Sequence, residues 1–430
     1  MTSDISLMRL SLRLARRGYG TTSPNPMVGA VLVKGGKIIG RGWHRRAGLP
    51  HAEIEALRDA QKHGLNPKGA TLYATLEPCC THGRTPPCTD AIIAAGIKRV
   101  VIGATDPNPK HTGKGFKILR RAGIEVTSPD KGRARHSVRA VPGLAKQRRA
   151  EDCAPCQSLA DECVRLNEAF NHWIVHRTPF VTVKAAMTLD GKIATASGES
   201  KWITGEKARA YGMKLRQGSD AVLVGINTIL ADNPSLTVRT KMQDGRWKMG
   251  KPIRRIVLDS TARTPLKAKV VSDGHAALTT VVVSKQAPKS RVAALAKRAY
   301  VMVAPTAKPL SRARRAEASA RRLATRHLSL IDLRWLLRKL GAENITSLLV
   351  EGGGEVNASF LLDGLAHRVA FFYAPKILGG RNSRKAVGGE GAKSLANALQ
   401  LQEIEWKRLG PDLLLTGGWS RTGILPVSNG

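Results

Sequence analysis

No stretch of this 430-residue chain approaches the roughly 20 consecutive apolar residues needed to cross a bilayer. A spanning helix is therefore not expected, and the amino-terminal MTSDISLMRLSLRLARRG alternates Leu with Arg instead of building a signal-peptide core. It reads as an amphipathic helix of a cytoplasmic protein. Cysteine is scarce too. Six residues fall in two clusters, Cys79, Cys80 and Cys88, then Cys153, Cys156 and Cys163, which points to metal binding or reduced thiols instead of a disulfide framework. Acidic residues are few, 32 against 70 Lys and Arg, leaving a formal charge of +38. Such a charge attracts any polyanion and identifies none. The two most basic stretches, 131–150 and 308–327, carry no aromatic residue on which a base could stack, so nucleic acid is not the expected partner.

What is present is enough apolar material, 42% of the chain, for more than one core. After the first helix, VGAVLVK and KIIGRGWH form a hairpin pattern across Gly35 and Gly36. Helix HAEIEALRDAQKHG, strand ATLYATLEP, helix TDAIIAAG, strand RVVIGATD, helix GKGFKILRRAG and strand IEVTS follow. That alternation implies an α/β domain over 1–128, with helices on both faces of its sheet. Residues 129–157 have no clear period and read as a basic inserted linker. A second α/β domain is expected over 158–419, with strands PFVTVKAAM, DAVLVGI, RRIVLDS, TTVVVS, YVMVAP, SLLVEGG, RVAFFYAPKIL and DLLLTGG, and 420–430 as a loose tail.

The strongest chemical pattern lies in the first domain. His51-Ala52-Glu53 opens a helix, Cys79 follows Pro78, and Cys88 follows Pro87 just before another helix. One imidazole and two thiolates leave the fourth position of a tetrahedral Zn²⁺ free for water, whose pKa the metal lowers to near 7. Glu53, two residues past His51, can shuttle the proton that hydrolytic deamination requires. A closed structural site with Cys80 or His82 as fourth ligand is the alternative, and it leaves Glu53 without a task. His82 and Arg84 face a substrate or brace the loop. The Cys153 to Cys163 cluster has C-x-x-C spacing without a matching His or second pair, and so reads either as a second metal or redox site or as incidental cysteines.

The H-x-E and Pro-Cys pattern resembles that of zinc nucleobase deaminases. With the longer loop EPCCTHGRTPPC and the upstream SPNPMVGAV, it resembles more closely the deaminase half of riboflavin-biosynthesis deaminase-reductases. Downstream, VKAAMTLDGKIATASGESKWITG, LRQGSDAVLVGINTILADNPSLTVR, LVEGGGEVNASF and APKILGG occur in the order of that family's reductase domain. The resemblance implies a cytidine-deaminase-like three-layer domain followed by a dihydrofolate-reductase-like α/β domain. It implies one zinc per protomer, NADPH, and a phosphorylated pyrimidine substrate. It also assigns substrate contacts to Ser200, Arg216, Leu236, Arg239 and Glu351. NADPH contacts fall to Ala186, Trp202, Thr228, Asp232, Ser260 and the run Gly353, Gly354, Glu355, Val356, Asn357, Ala358 and Ser359.

The residue types suit those tasks. Arg216 and Arg239 can grip a sugar phosphate by forked, charge-assisted hydrogen bonds. Glycines before a helix let backbone amides approach a phosphate, although a tight turn without ligand reads the same way. Lys184 and Asp190 either orient the opened ribose and move a proton or, for Asp190-Gly191, make a plain turn. A homo-oligomer is compatible with the sequence. The competing reading is a zinc nucleoside or tRNA deaminase with an appended domain of other function.

Overall fold

The computed structural model describes residues 3–83, 85–129, 158–241, 247–306 and 331–419. Segment 130–157, the tail 420–430, Arg84, Cys153 and Cys156 lie outside the described residues. The chain divides into two compact units, Met1–Val175 and His176–Gly430.

The first unit runs α1 (Asp4–Ala15), β1 (Gly29–Lys34), β2 (Lys37–Trp43), α2 (Ala52–Lys62), β3 (Thr71–Ala74), α3 (Cys88–Ala94), β4 (Arg99–Ile102), α4 (Lys114–Arg121), β5 (Glu125–Thr127), α5 (Leu159–Leu166) and α6 (Glu168–His176). Its sheet has the order β2-β1-β3-β4-β5, with β1 antiparallel to both neighbours and β3, β4 and β5 parallel. Helices cover both faces, as the alternation implied. A Cβ at Gly29 would strike the α1 backbone at Ser11, whereas one at Gly42, which pairs with the next residue Ala30, would strike the α2 backbone at Ala52. Successive positions on a strand face opposite sides, so α1 and α2 lie on opposite faces and each seats a turn against a bare glycine.

The boundary falls later than the expected 158. Ser158 caps α5 in a reciprocal box with Asp161. Leu159 and Cys163 are buried in the first core. The Asn167 side chain accepts from Met27 N–H at 2.8 Å and donates to Met27 C=O at 2.9 Å. These contacts tie 158–175 to the first sheet.

The second unit contains β6 (Phe180–Thr188), β7 (Lys192–Ala194), α7 (Glu206–Gly218), β8 (Ala221–Gly225), α8 (Ile226–Asp232), β9 (Arg239–Lys241), β10 (Trp247–Met249), β11 (Arg254–Leu258), α9 (Lys269–Ser272), β12 (Thr279–Ser284), α10 (Lys289–Ala296) and β13 (Tyr300–Ala304). It continues with α11 (Leu333–Ala342), β14 (Ser347–Val350), α12 (Gly354–Leu362), β15 (Arg368–Ala374), β16 (Arg384–Lys385), β17 (Gln402–Leu409) and β18 (Asp412–Gly418). Nine strands form one sheet in the order β13-β12-β11-β8-β14-β6-β15-β18-β17, parallel except that β18 runs antiparallel to both of its neighbours. Both faces are buried. Ala221 and Leu223 enter one core and Val222 and Val224 another, which is why these strands read as unbroken apolar runs.

The topology also marks a crevice. From β8 the chain moves outward to β11, β12 and β13, whereas from β14 it moves the other way, past β6, to β15. The carboxyl ends of β8 and β14 are therefore a switch point, where open α/β sheets take their ligands. Among the described residues, no helix is long and apolar enough to cross a membrane.

Candidate active sites

In the first unit, three loops deliver the expected ligands to one point. His51 is the residue capping α2, Cys79 follows β3, and Cys88 is the first residue of α3 after Pro87. His51 Nδ1 lies 3.4 Å from Cys79 Sγ and 3.3 Å from Cys88 Sγ, and the Cys88 N–H donates to Cys79 Sγ at 3.4 Å. Tetrahedral zinc, with bonds of about 2.1 Å to nitrogen and 2.3 Å to sulfur, needs ligand atoms at about this separation. A hydrogen bond from the Cys88 thiol, with His51 nearby, holds the Cys79 thiol down at about 4, and the same sharing pushes Cys88 up. Cys79 is thus held as thiolate, the form a metal binds, by the proton that Cys88 keeps.

Glu53, at the second position of α2, is buried, and its Oε2 has no hydrogen-bond partner. Burial raises its pKa. A buried acceptor left open beside three soft donors fits a zinc site that takes up water and substrate. The closed alternative does not form. Among the described residues, the metal-competent group is His51, Cys79 and Cys88 alone, Cys80 Sγ sits 3.6 Å from His111 Nδ1, and His82 is exposed. Cys163, the described member of the other cluster, is buried in the first core.

Two supports escaped the sequence reading. His44 is buried with its ring edge-on to His51, centroids 5.2 Å apart. Its Nδ1–H donates to Pro50 C=O at 3.1 Å, and its Nε2 accepts from Asn25 Nδ2 at 3.2 Å. Burial lowers its pKa, in keeping with a neutral ring that wedges His51 in place. Glu77 accepts backbone N–H bonds from Asp106, Gly113 and Gly115, bracing the 106–115 loop just before Cys79. The spacing from His44 to His51 was a visible signal. Nothing local marks Glu77.

In the second unit, Glu351 follows β14 at the switch point and takes a forked bond from Arg216, Nε to Oε1 at 2.6 Å and Nη2 to Oε2 at 2.9 Å. Lys184 Nζ lies 3.8 Å from Oε2. Burial raises the Glu351 pKa, but the Arg216 and Lys184 charges outweigh it and hold the carboxyl at about 2. Arg216 was expected to offer its fork to a phosphate, and here it differs. The fork is closed on Glu351, and Nη1 donates to Thr237 C=O at 3.0 Å. Arg239, at the start of β9, is exposed. Leu236 is buried with φ +51°.

Ser200 Oγ donates to Asp232 at 3.2 Å, joining one assigned substrate residue to one assigned cofactor residue. Ala186 lies on β6, Thr228 on α8, and Ser260 just past β11, whose C=O accepts from Ser284 N–H at 3.1 Å. Trp202 is exposed, with the Arg209 guanidinium 4.7 Å from its ring centroid. Gly353 caps α12, and a Cβ there would meet open space. Val356, Asn357, Ala358 and Ser359 are buried, and a Cβ at Gly354 would strike the Lys385 carbonyl. Asp190 accepts from Thr188 Oγ1 at 2.6 Å and from the N–H groups of Leu378 and Gly379 at 3.0 and 2.7 Å, which makes it a brace between two loops.

A family model described as the RibD C-terminal domain matches residues 179–415, more than half of the chain. The chain belongs to the RibD family. The cytidine and deoxycytidylate deaminase zinc-binding region matches residues 1–104. Riboflavin biosynthesis protein RibD of Actinobacillus pleuropneumoniae is 39% identical over 413 residues, covering 96% of this chain and 94% of that protein. The structure of Acinetobacter baumannii RibD superposes with a TM-score of 0.73 at 31% identity, over 97% of this chain and 99% of that one. A Thermotoga maritima diaminohydroxyphosphoribosylaminopyrimidine deaminase/5-amino-6-(5-phosphoribosylamino)uracil reductase gives 0.72 at 33%, over the same shares. As a RibD protein, the chain is a bifunctional enzyme of riboflavin biosynthesis, a zinc-binding deaminase followed by a reductase.

Proposed function

We propose that this RibD protein deaminates 2,5-diamino-6-ribosylamino-4(3H)-pyrimidinone 5′-phosphate and then reduces the ribosyl chain with NADPH, giving 5-amino-6-ribitylaminouracil 5′-phosphate. The observation that carries the first step is the group of His51, Cys79 and Cys88 beside the open, buried Glu53 Oε2. One zinc per protomer, when bound there, supplies the Lewis acidity that makes water a nucleophile at neutral pH. Glu53 takes the proton from the attacking water, places it on the ring nitrogen, and returns one to the departing ammonia. Burial keeps bulk water from carrying that proton instead. His44 and Pro87 hold His51 and Cys88 in place.

For the second step, a nicotinamide cofactor at the glycine-rich turn before α12 supplies the reducing equivalents. Arg216 and Lys184 keep Glu351 ionised, so that it can accept hydrogen bonds from the ribose chain. Arg239, exposed beside the crevice, anchors the substrate phosphate. Incubation with the diaminopyrimidinone, followed by mass analysis with and without NADPH, tests both steps. Deamination alone without NADPH and the ribityl product with it are expected, and turnover of a nucleoside in preference to the phosphorylated pyrimidine would defeat the proposal.

Two variants sharpen the test. Cys88→Ser should lose most of its zinc by metal analysis together with deamination, and full zinc in that variant would move the site. Arg239→Ala should lose about 1.5 to 3 kcal/mol of phosphate recognition, a ten- to hundredfold drop in reductase kcat/KM. Deamination should stay unchanged. With a substrate lacking the 5′-phosphate, parent and variant should nearly coincide, and a rise in the KM for NADPH would instead assign Arg239 to the cofactor.

A further inference from the structure

Arginine on a strand is ordinarily read as surface, yet Arg255 on β11 is 1% exposed. All five of its N–H donors are used. Nε donates to Thr279 Oγ1 at 2.9 Å, Nη1 to Asp273 Oδ2 at 2.8 Å and Ser235 C=O at 2.9 Å, and Nη2 to Asp273 Oδ1 and Val270 C=O, each at 2.9 Å. A charge pair alone would need only Asp273. The remaining donors select the direction of two main-chain carbonyls and a hydroxyl, something a rigid planar fork does and an ammonium does not.

One of those carbonyls sits in the loop between α8 and β9. Asn233 in that loop is tied to α9, its Oδ1 accepting from Lys269 N–H at 2.9 Å. Leu236 has the left-handed φ of +51°, which a Leu adopts only when its surroundings impose it. The carbonyl before it, at Ser235, receives Arg255, and the carbonyl after it, at Thr237, receives Arg216. Two guanidiniums thus hold main-chain carbonyls on either side of Leu236, in a loop whose Asn233 is left-handed too, with φ +42°.

We propose that Arg255 is a positioning residue for the reductase reaction. Acting through the Ser235 carbonyl, with Arg216 on the far side, it holds Leu236 in its left-handed conformation, its side chain seated in the core, and so sets how the 232–239 loop presents the Leu236 backbone and the Arg239 side chain to the phosphorylated substrate. The inference rests on the assignment of those two residues to the substrate side.

The test uses the full chain carrying Arg255→Lys, and a milder Asp273→Asn that leaves the guanidinium in place but loosens its anchor. Hydrogen exchange of peptides covering 232–239 should speed up in both, more in the lysine variant, together with the 269–279 segment that the same guanidinium holds, and with the remainder of the second unit unchanged. Reductase kcat/KM for the deaminated substrate should fall roughly tenfold in Arg255→Lys, while the cofactor KM stays within about twofold. Deamination and zinc content should match the parent. Unchanged exchange in 232–239, or a reductase loss that only follows the fraction of folded protein, overturns the proposal. Faster exchange accompanied by a raised cofactor KM and an unchanged substrate KM overturns instead the assignment of the loop to the substrate.

Discussion

Glu53→Gln should lower deamination by between about a hundredfold and ten-thousandfold, the range that a positioned proton carrier contributes, while zinc content stays at the parent level. Glutamine has the same shape and can accept a hydrogen bond through its oxygen, but it can neither take a proton from water nor return one to ammonia. The wild-type carboxyl is buried with Oε2 unpartnered, and burial raises its pKa. A neutral amide at that position escapes the desolvation penalty of a carboxylate, so thermal stability should be equal to the parent's or higher. Reduction of supplied deaminated intermediate should continue at the parent rate. A variant that keeps its zinc and still deaminates near the parent rate would show that the proton travels by another group.

The zinc group was legible in the sequence because each ligand sits at a helix start or beside a proline, so short local patterns carry its geometry. The parallel strands were legible for a different reason: both of their faces are buried, and their apolar runs stand out. β17 was not. Its sequence QEIEWKRL is an almost wholly exposed strand at the edge of the sheet, where charge discourages pairing with other chains and erases the apolar alternation. The helices at 159–176 were assigned to the wrong side of the boundary because their partners, such as Met27, lie some 140 positions away. Long-range polar pairs are hidden in the same way. Arg216 and Glu351 are 135 residues apart. Nothing near either shows that each exists to satisfy the other, which is how the Arg216 fork came to be read as free for phosphate.

That pair carries the second large effect. Glu351→Gln preserves shape but leaves the Arg216 guanidinium and Lys184 ammonium, both largely buried, without their counter-charge. Removing one member of a buried pair costs about 3 to 5 kcal/mol. The titration leads to a similar figure. The carboxyl's folded pKa of about 2 lies below its ordinary 4.5, so ionisation stabilises the fold above pH 4.5 and that contribution is lost as pH falls through about 2. At neutral pH the shift corresponds to on the order of 3 kcal/mol. The stability difference between parent and Glu351→Gln, followed by chemical denaturation of the second unit, should therefore be about 3 kcal/mol at pH 7 and shrink to roughly 1 kcal/mol at pH 3. A difference that stays constant with pH would mean that Glu351 contributes through packing alone. The reductase should suffer beyond stability. With an amide in place of the carboxylate, the guanidinium keeps at most one of the two bonds that aim its third at Thr237 and loses the charge behind it, the loop after Leu236 loosens, and reductase kcat/KM should fall at least tenfold at temperatures where the variant is fully folded. Deamination by the first unit serves as the control: an equal fall in both activities would point to general unfolding, and a fall in reduction alone to the loss of the carboxylate that Arg216 and Lys184 keep charged.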